Sequence, residues 1–121
     1  MTPYWKKFAQ DNNLIGTEIE IPVAEDLSGV GAVIEWLDEE GSRVESEELY
    51  PGIAVNKDGY IPVGGCSIGT GDPYFIRVAD GEGGPLYRIY HDEVGEDGYV
   101  SEKAIAVVLS DYRLVTKYKD A

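Results

Sequence analysis

The sequence has few of the residues that build disulfide frameworks, metal sites or membrane spans. Of its 121 residues, one is cysteine and one is histidine, which excludes an internal disulfide and gives little support to a four-ligand zinc site. No apolar run approaches the roughly 20 residues that cross a membrane. We therefore expect a fold held by its own hydrophobic core, with no metal, no other cofactor and no membrane as a partner.

Basic residues are also scarce, and unevenly so. The sequence has 10 Lys and Arg against 23 Asp and Glu, a net charge of −13, and residues 18–50 hold eleven acids with Arg43 as their one base. Such a surface repels phosphate backbones, so nucleic acid is not an expected partner. A basic protein, in contrast, is attracted and steered in. The alternative is an acidic surface that only keeps the protein soluble.

Length and composition indicate one domain that spans residues 1–121. Apolar residues make up 43% of the chain, which is too many for a disordered acidic segment. A chain of this length buries one modest core. The first residues lack the apolar stretch of a secretory signal, and a lone thiol fits a reducing compartment. The expected location is the cytoplasm.

Alternating apolar residues predict an antiparallel meander in the middle of the chain. Residues at every second position of four segments are apolar, which is typical of half-buried strands. Tight turns separate the later three segments, and such spacing favours antiparallel neighbours. The four predicted strands are 15–21, 60–63, 74–78 and 86–90.

The segments around this meander are less regular. Glycines weaken a helix in segment 26–41, so we favour a strand at 32–37, followed by a short helix at 45–49. Residues 53–55 are expected as a strand that enters a type I turn at 56–59, because Asn and Gly occupy its first and fourth positions.

Helices are predicted at both ends of the chain. Thr2 can cap a helix that has Pro3 in its first position. Ser101 can cap a second helix over 101–112, whose buried stripe would be Ile105, Val108, Leu109 and Tyr112. Strands flanked by helices indicate an α+β fold, here a single domain with a central antiparallel sheet and N- and C-terminal helices.

One motif imitates a hydrolase. Gly65-Cys-Ser-Ile-Gly69 matches the G-x-S-x-G nucleophile elbow, in which Ser67 would attack and His91 would be its base. An elbow joins a strand to a helix, whereas this segment runs into Pro73 and another strand. The sheet that holds such a triad is also much larger than this chain. A small hydrolase is therefore the weakest of the alternatives, and we predict that the chain is not an enzyme.

Acidic and aromatic residues between 35 and 48 have the composition of a protein interface. Trp36 lies among carboxylates, as in an aromatic anchor ringed by charge, although a core tryptophan fits equally well. Asp72 can accept hydrogen bonds from turn amides or belong to an exposed acidic rim. The candidate partner-binding residues are Glu35, Trp36, Asp38, Glu39, Glu40, Glu47, Asp72 and Tyr74.

Three segments of the chain resemble the SUKH superfamily, in the branch related to the yeast cell-wall assembly regulator. They are Gly59-Tyr-Ile-Pro-Val-Gly64, Gly69-Thr-Gly-Asp-Pro-Tyr-Phe-Ile76 and Gly84-Pro-Leu-Tyr-Arg-Ile-Tyr-His-Asp92. In that family, a strand ends in a small-residue turn with Gly-Asp and leads to a strand that begins aromatic-hydrophobic. The resemblance covers roughly residues 45–112.

The resemblance implies an α+β domain and a binding role. Bacterial members are commonly immunity proteins that bind and neutralise a cognate toxin, often a nuclease. A nuclease holds phosphates in a basic cleft, which an acidic segment can occupy. The expected function is thus non-enzymatic neutralisation of a basic toxin domain. A stand-alone regulatory or scaffold domain without a toxin is the alternative binding role, and a hydrolase that uses Ser67 is the enzymatic one.

Overall fold

The structure is a computed structural model that describes residues 1–66 and 72–119. Helices and strands combine in one small α+β fold, as expected. The helices are α1 (Pro3–Asp11), α2 (Glu39–Glu47), α3 (Gly52–Val55) and α4 (Ser101–Ala104). The strands are β1 (Glu18–Ile21), β2 (Ala32–Trp36), β3 (Tyr60–Cys66), β4 (Tyr74–Arg77), β5 (Leu86–Ile89), β6 (Val94–Gly95), β7 (Gly98–Tyr99) and β8 (Ile105–Leu109). Short 3₁₀ helices are Asn56–Asp58, Val78–Asp80, His91–Glu93 and Tyr112–Tyr118.

Six strands form the central antiparallel sheet, in the order β1-β2-β3-β4-β5-β8. The first five strands pair in chain order, β1 with β2, β2 with β3, β3 with β4 and β4 with β5, and all four pairs are antiparallel. This arrangement confirms the predicted meander. Strand β8 then adds to the free side of β5, while β6 and β7 form a separate small hairpin.

The sheet curls into a half-barrel. The loop that follows β1 contacts the last strand, where the Leu27 amide donates a hydrogen bond to the Val108 carbonyl over 2.9 Å. The right-handed twist of each strand accumulates across the sheet and favours such curvature. The main core therefore lies inside the curl, where α1 and the Tyr112–Tyr118 helix also contribute buried side chains.

Aromatic rings fill the centre of this inner core. Trp5 has no exposed surface, and its ring centroid lies 5.5 Å from that of Trp36 and 5.2 Å from that of Tyr112. Tilted and edge-on rings at such distances add to the gain from burial. Trp5 thus anchors α1 onto the sheet.

Helices and the β6–β7 hairpin cover only part of the outer face of the sheet. A second cluster of buried side chains lies there, from α3, the β6–β7 hairpin, α4 and the strands beneath them: Val55, Tyr60, Phe75, Ile89, Val94 and Ala104. On the outer face of β1 and β2, in contrast, glutamate side chains are exposed. The fold therefore leaves an uncovered, charged half on its outer face.

The predicted helix over 101–112 is wrong beyond its first turn. Helix α4 ends at Ala104, and the residues that follow form β8. Strand β5 has a free edge that β8 pairs with, from Ile89 opposite Ile105 to Leu86 opposite Leu109. The run Ile-Ala-Val-Val-Leu is rich in β-branched residues, which favour a strand once such an edge is present.

Two further boundaries differ from the sequence expectation. Residues 53–55 belong to helix α3 and not to a strand, and the helix expected at 45–49 begins earlier, at Glu39. Its N-cap is Asp38, which accepts a hydrogen bond from the Gly41 amide over 2.7 Å. Residues Asn56–Asp58 form a 3₁₀ helix that continues α3 in place of the isolated turn, although the Gly59 amide does donate the expected bond to the Asn56 carbonyl over 3.0 Å.

Candidate functional site

Two of the eight candidate partner-binding residues have buried side chains. Trp36 is 2% exposed and Tyr74 is 1% exposed, so neither side chain lies on the outer surface as an exposed anchor, and the expectation is corrected at both positions. Both residues lie at inward-facing positions of their strands. The alternation of Ala32, Ile34 and Trp36 was the signal that could have placed the tryptophan in the core.

The same alternation places Glu35 outside, opposite a second glutamate. Glu35 of β2 and Glu18 of β1 are direct cross-strand partners, and Glu20 lies two residues further along β1 on the same face. Direct cross-strand neighbours have their Cβ atoms about 5 Å apart, and like charges in such pairs are destabilising. We call Glu18, Glu20 and Glu35 the outer acidic strip.

One base lies near this strip, since Lys117 lines an open cavity together with Glu18 and Glu20. Among the described residues, none of the three glutamates of the strip forms an ion pair with a base. Sequence reasoning included Glu35 but missed Glu18 and Glu20. The sequence feature that places these two glutamates on the outer face is their alternation with Ile19 and Ile21, which are buried.

Helix α2 carries the other predicted acids, but most of these have basic partners. Arg43 binds Glu40 at 2.6 Å and Glu47 at 3.0 Å, and Lys6 binds Glu39 at 3.4 Å. The hydrogen bond between Arg43 and Glu40 holds the pKa of Glu40 below its usual range and raises the pKa of Arg43. Because these pairs are exposed they add little stability, yet the bases partly offset the negative charge that α2 presents.

Asp38, the remaining candidate acid of this segment, is the N-cap of α2. The helix that it caps covers the part of β3 that β2 leaves unpaired. There the Leu37 amide donates to the Val63 carbonyl over 3.0 Å, and Ser42 Oγ donates to the Pro62 carbonyl over 2.6 Å. Asp38 therefore begins α2 two residues after β2 ends.

Asp72 lies elsewhere, just before β4, and is bonded to His91, the second residue after β5. It accepts a hydrogen bond from the His91 amide over 2.9 Å, and its Oδ1 lies 2.7 Å from Nδ1 of the same residue. The other ring nitrogen, Nε2, lies 2.9 Å from Oδ1 of Asp92. Ser67 lies outside the described residues. Since both ring nitrogens of His91 face carboxylates, this arrangement offers no support for His91 as a base.

A buried ion pair crosses the inside of the curl. Arg88 Nη2 donates to Asp26 Oδ2 over 3.2 Å, to the Gly31 carbonyl over 2.5 Å and to the Tyr74 hydroxyl over 3.3 Å. Both charged side chains are essentially unexposed. Burial raises the pKa of Tyr74 to about 12. The contacts tie the β1–β2 loop to β5, and sequence reasoning missed them.

An open cavity of about 340 Å³ lies where the β1–β2 loop meets the strands β3, β4 and β5. Its walls are mostly aliphatic, from Ile21, Val23, Val30 and Ala32, and its lining also includes Cys66, Tyr74 and Arg88. Glu20 and Val33 line its outer side. The cavity therefore adjoins the outer acidic strip through Glu20.

Within residues 1–66 and 72–119, no group of three or more His, Cys, Asp or Glu side chains is placed to hold a metal ion. None of the helices in these ranges has the length and apolar character that a membrane crossing requires.

Comparisons with known proteins add no relative. No family model matches the chain, and neither the curated proteins nor the solved structures contain a match.

Proposed function

We propose that this chain is a non-enzymatic binding protein that recognises a basic protein through the outer acidic strip. The observation that carries the proposal is the direct pairing of Glu18 with Glu35 on an exposed sheet face. Two like charges in cross-strand register work against folding. A cationic partner removes that repulsion when it binds, so the repulsion in the free protein favours binding.

A simpler reason for charge on this face explains only part of the strip. Charged side chains on an edge strand keep sheets of different molecules from pairing, and β1 is an edge strand of the sheet. Strand β2 is internal to the sheet, since it pairs with both β1 and β3. Edge protection therefore does not account for Glu35, and the strip is better explained by recognition.

The partner that fits best is a toxin domain with a basic surface, and the role is that of an immunity protein of the SUKH kind. The acidic charge of residues 18–50 complements a cleft that holds phosphates, as in a nuclease. Glu39, Glu40 and Glu47 of α2 form the rim of the contact, because their ion pairs can be exchanged for pairs with the partner. Neutralisation is then steric and electrostatic, in the cytoplasm, with no reaction carried out by this chain.

The proposal is tested by site-specific photo-crosslinking in the cells that make the protein. A photoreactive residue replaces Glu35 in one variant and Glu102 of α4, which is also exposed, in a matched control. We expect the variant at position 35 to capture one basic protein and the control to capture none of it. Expression of the captured protein alone should arrest growth, and co-expression of the wild-type chain should restore it.

Each part of the proposal has its own contradicting result. Equal capture from positions 35 and 102, or capture of an acidic protein from position 35, would overturn recognition by the strip. A captured basic protein that does not harm cells would keep the binding role but replace the immunity role by the scaffold alternative. Ester hydrolysis by the purified chain that is lost in Ser67→Ala would overturn the non-enzymatic assignment.

A further inference from the structure

The cavity beside the outer acidic strip has an apolar rim that the fold itself does not use. Val23 is 59% exposed and Val30 is 49% exposed, and both line the cavity. Leu27, on the same β1–β2 loop, is 66% exposed but does not line the cavity. Exposed aliphatic side chains are ordinary one at a time, but two of them beside an apolar concavity are typical of an interaction site.

The loop that carries this rim is held in place. Asp26 Oδ1 accepts hydrogen bonds from the Ser28 amide and hydroxyl over 2.7 and 2.6 Å, while its other oxygen binds Arg88. The amide of Leu27 is fixed to β8. A rim with so many fixed points is preformed, and a preformed pocket loses less entropy when it is filled.

The charges around the cavity restrict what can enter it. At its outer side the cavity is lined by Glu20, which belongs to the outer acidic strip. At its inner side the charge of Arg88 is already matched by Asp26. A free anion would be repelled by Glu20 and, among the lining residues that the structure describes, would find no cation without a carboxylate partner. An apolar group that is accompanied by positive charge meets favourable contacts at both places.

We propose that the cavity receives one apolar side chain of the partner, flanked in the partner's sequence by lysine or arginine residues that contact Glu18 and Glu20. This inference rests on the proposed function, because it names the part of the basic partner that the strip recognises. A volume of about 340 Å³ lies at the lower end of the range for small-molecule pockets, and an aliphatic side chain inserted from a protein surface suits it. Such anchors in pockets dominate the energy of many interfaces.

The test uses two synthetic peptides, Lys-Lys-Leu-Lys-Lys and Lys-Lys-Ser-Lys-Lys, which differ only in the side chain that would enter the cavity. Dissociation constants are measured by titration calorimetry or by changes in the NMR signals of the valine methyl groups. Burial of one leucine side chain predicts about tenfold tighter binding of the leucine peptide. Cys66 lines the cavity, so the leucine peptide should also slow alkylation of this single thiol by iodoacetamide, and the serine peptide should not.

Three variants separate this inference from the proposed function. Val23→Ser with Val30→Ser should bring the leucine peptide down to the affinity of the serine peptide and leave the latter unchanged. Val78→Ser, at another exposed valine (49% exposed), should leave the tenfold ratio intact. The triple variant Glu18→Gln, Glu20→Gln, Glu35→Gln should weaken both peptides equally.

The outcomes are distinct. Equal affinity of the two peptides, or no binding of either, would overturn the inference about the cavity. If both peptides bind equally and both are weakened by the triple variant, the strip still recognises positive charge and only the cavity is excluded. If the leucine peptide remains tenfold tighter and the triple variant has no effect on either peptide, the cavity is retained and recognition by the strip fails.

Discussion

The Arg88 side chain lies inside the curl of the sheet, where a charge without a partner would be strongly destabilising. Its partner Asp26 is 62 residues away in the sequence. No local pattern joins two residues at that separation, since their contact exists only after the sheet has curled. Arg88 also alternates with outward residues of β5 as an apolar residue would, so its inward position could be predicted while its partner could not.

Removal of one member of this pair should leave an uncompensated buried charge. We expect Asp26→Asn to lower the free energy of unfolding by about 3–5 kcal/mol, because a buried pair that loses one partner loses roughly that much. Urea unfolding of Asp26→Asn, of Arg88→Met and of the double variant provides the measurement. The double variant should lose much less than the sum of the single losses, and simple additivity would contradict a coupled buried pair.

Burial of tyrosines should make the protein sensitive to alkali. Burial raises the pKa of Tyr74 from 10.0 to about 12, and the pKa values of Tyr60 and Tyr112 are raised for the same reason. Above the ordinary tyrosine pKa of 10.0, these side chains ionise in the unfolded chain but stay protonated in the folded one. The unfolded state then binds fewer protons than the folded state. Stability is then fully present below about pH 10 and is lost as the pH rises towards 12.

Urea unfolding at a series of pH values from about 9 to about 11.5 measures this loss. Tyr74→Phe is the matched variant, because it removes one of the groups concerned and keeps the ring in the core. Its stability should fall less steeply with pH than that of the wild type. Identical slopes for the two proteins would show that Tyr74 does not ionise differently in the folded and unfolded states.

At the scale of elements, the antiparallel meander follows from local pattern and the rest from tertiary context. Strands β3, β4 and β5 alternate along their length and are separated by turn residues, which is enough to predict them. The segment 101–109 is compatible with both a capped helix and a strand, and the free edge of β5 decides between them. The early start of α2 at Glu39 could have been predicted from Asp38, a preferred N-cap followed by two acids.

The candidate site divides in the same way. Charge counting identified the acidic third of the chain, and alternation was sufficient to assign Glu18, Glu20 and Glu35 to one face. The i,i+3 and i,i+4 spacing of Arg43 with its two glutamates also predicts that part of α2 is neutralised. The cavity could not be predicted, because its walls come from a loop and three strands that only the curl brings together.

The pairing of β1 with β2 should carry a small stability deficit. We expect Glu35→Gln to raise the free energy of unfolding by about 0.2–1 kcal/mol at low salt, because the repulsion from Glu18 disappears. Urea unfolding at low and at high salt measures it, and the gain should shrink as salt screens the charges. Glu96→Gln, in the β6–β7 turn, removes the same charge without a facing carboxylate and serves as the control. An equal gain in both variants would contradict a specific repulsion between Glu18 and Glu35.

At the scale of the whole molecule, the curled sheet separates its two faces by task. The inner face and half of the outer face are buried in the two hydrophobic clusters. The remaining half of the outer face bears carboxylates that have no basic partner among the described residues, and it adjoins a cavity with an apolar rim. Under the proposed function, stability and recognition belong to different surfaces of one small sheet, and we expect charge changes on the strip to leave the fold intact.

The central claim is that recognition depends on where the carboxylates lie and not on the net charge of −13. The most direct test is the association rate constant for the partner captured at position 35, measured by stopped flow at increasing ionic strength. The wild type is compared with Glu18→Gln, Glu20→Gln, Glu35→Gln and with Glu93→Gln, Glu96→Gln, Glu102→Gln, which removes three exposed charges elsewhere. We predict that the strip variant associates at least tenfold more slowly at low salt and with a flatter salt dependence, while the control stays near the wild type. Equal rates for the two triple variants would contradict the claim.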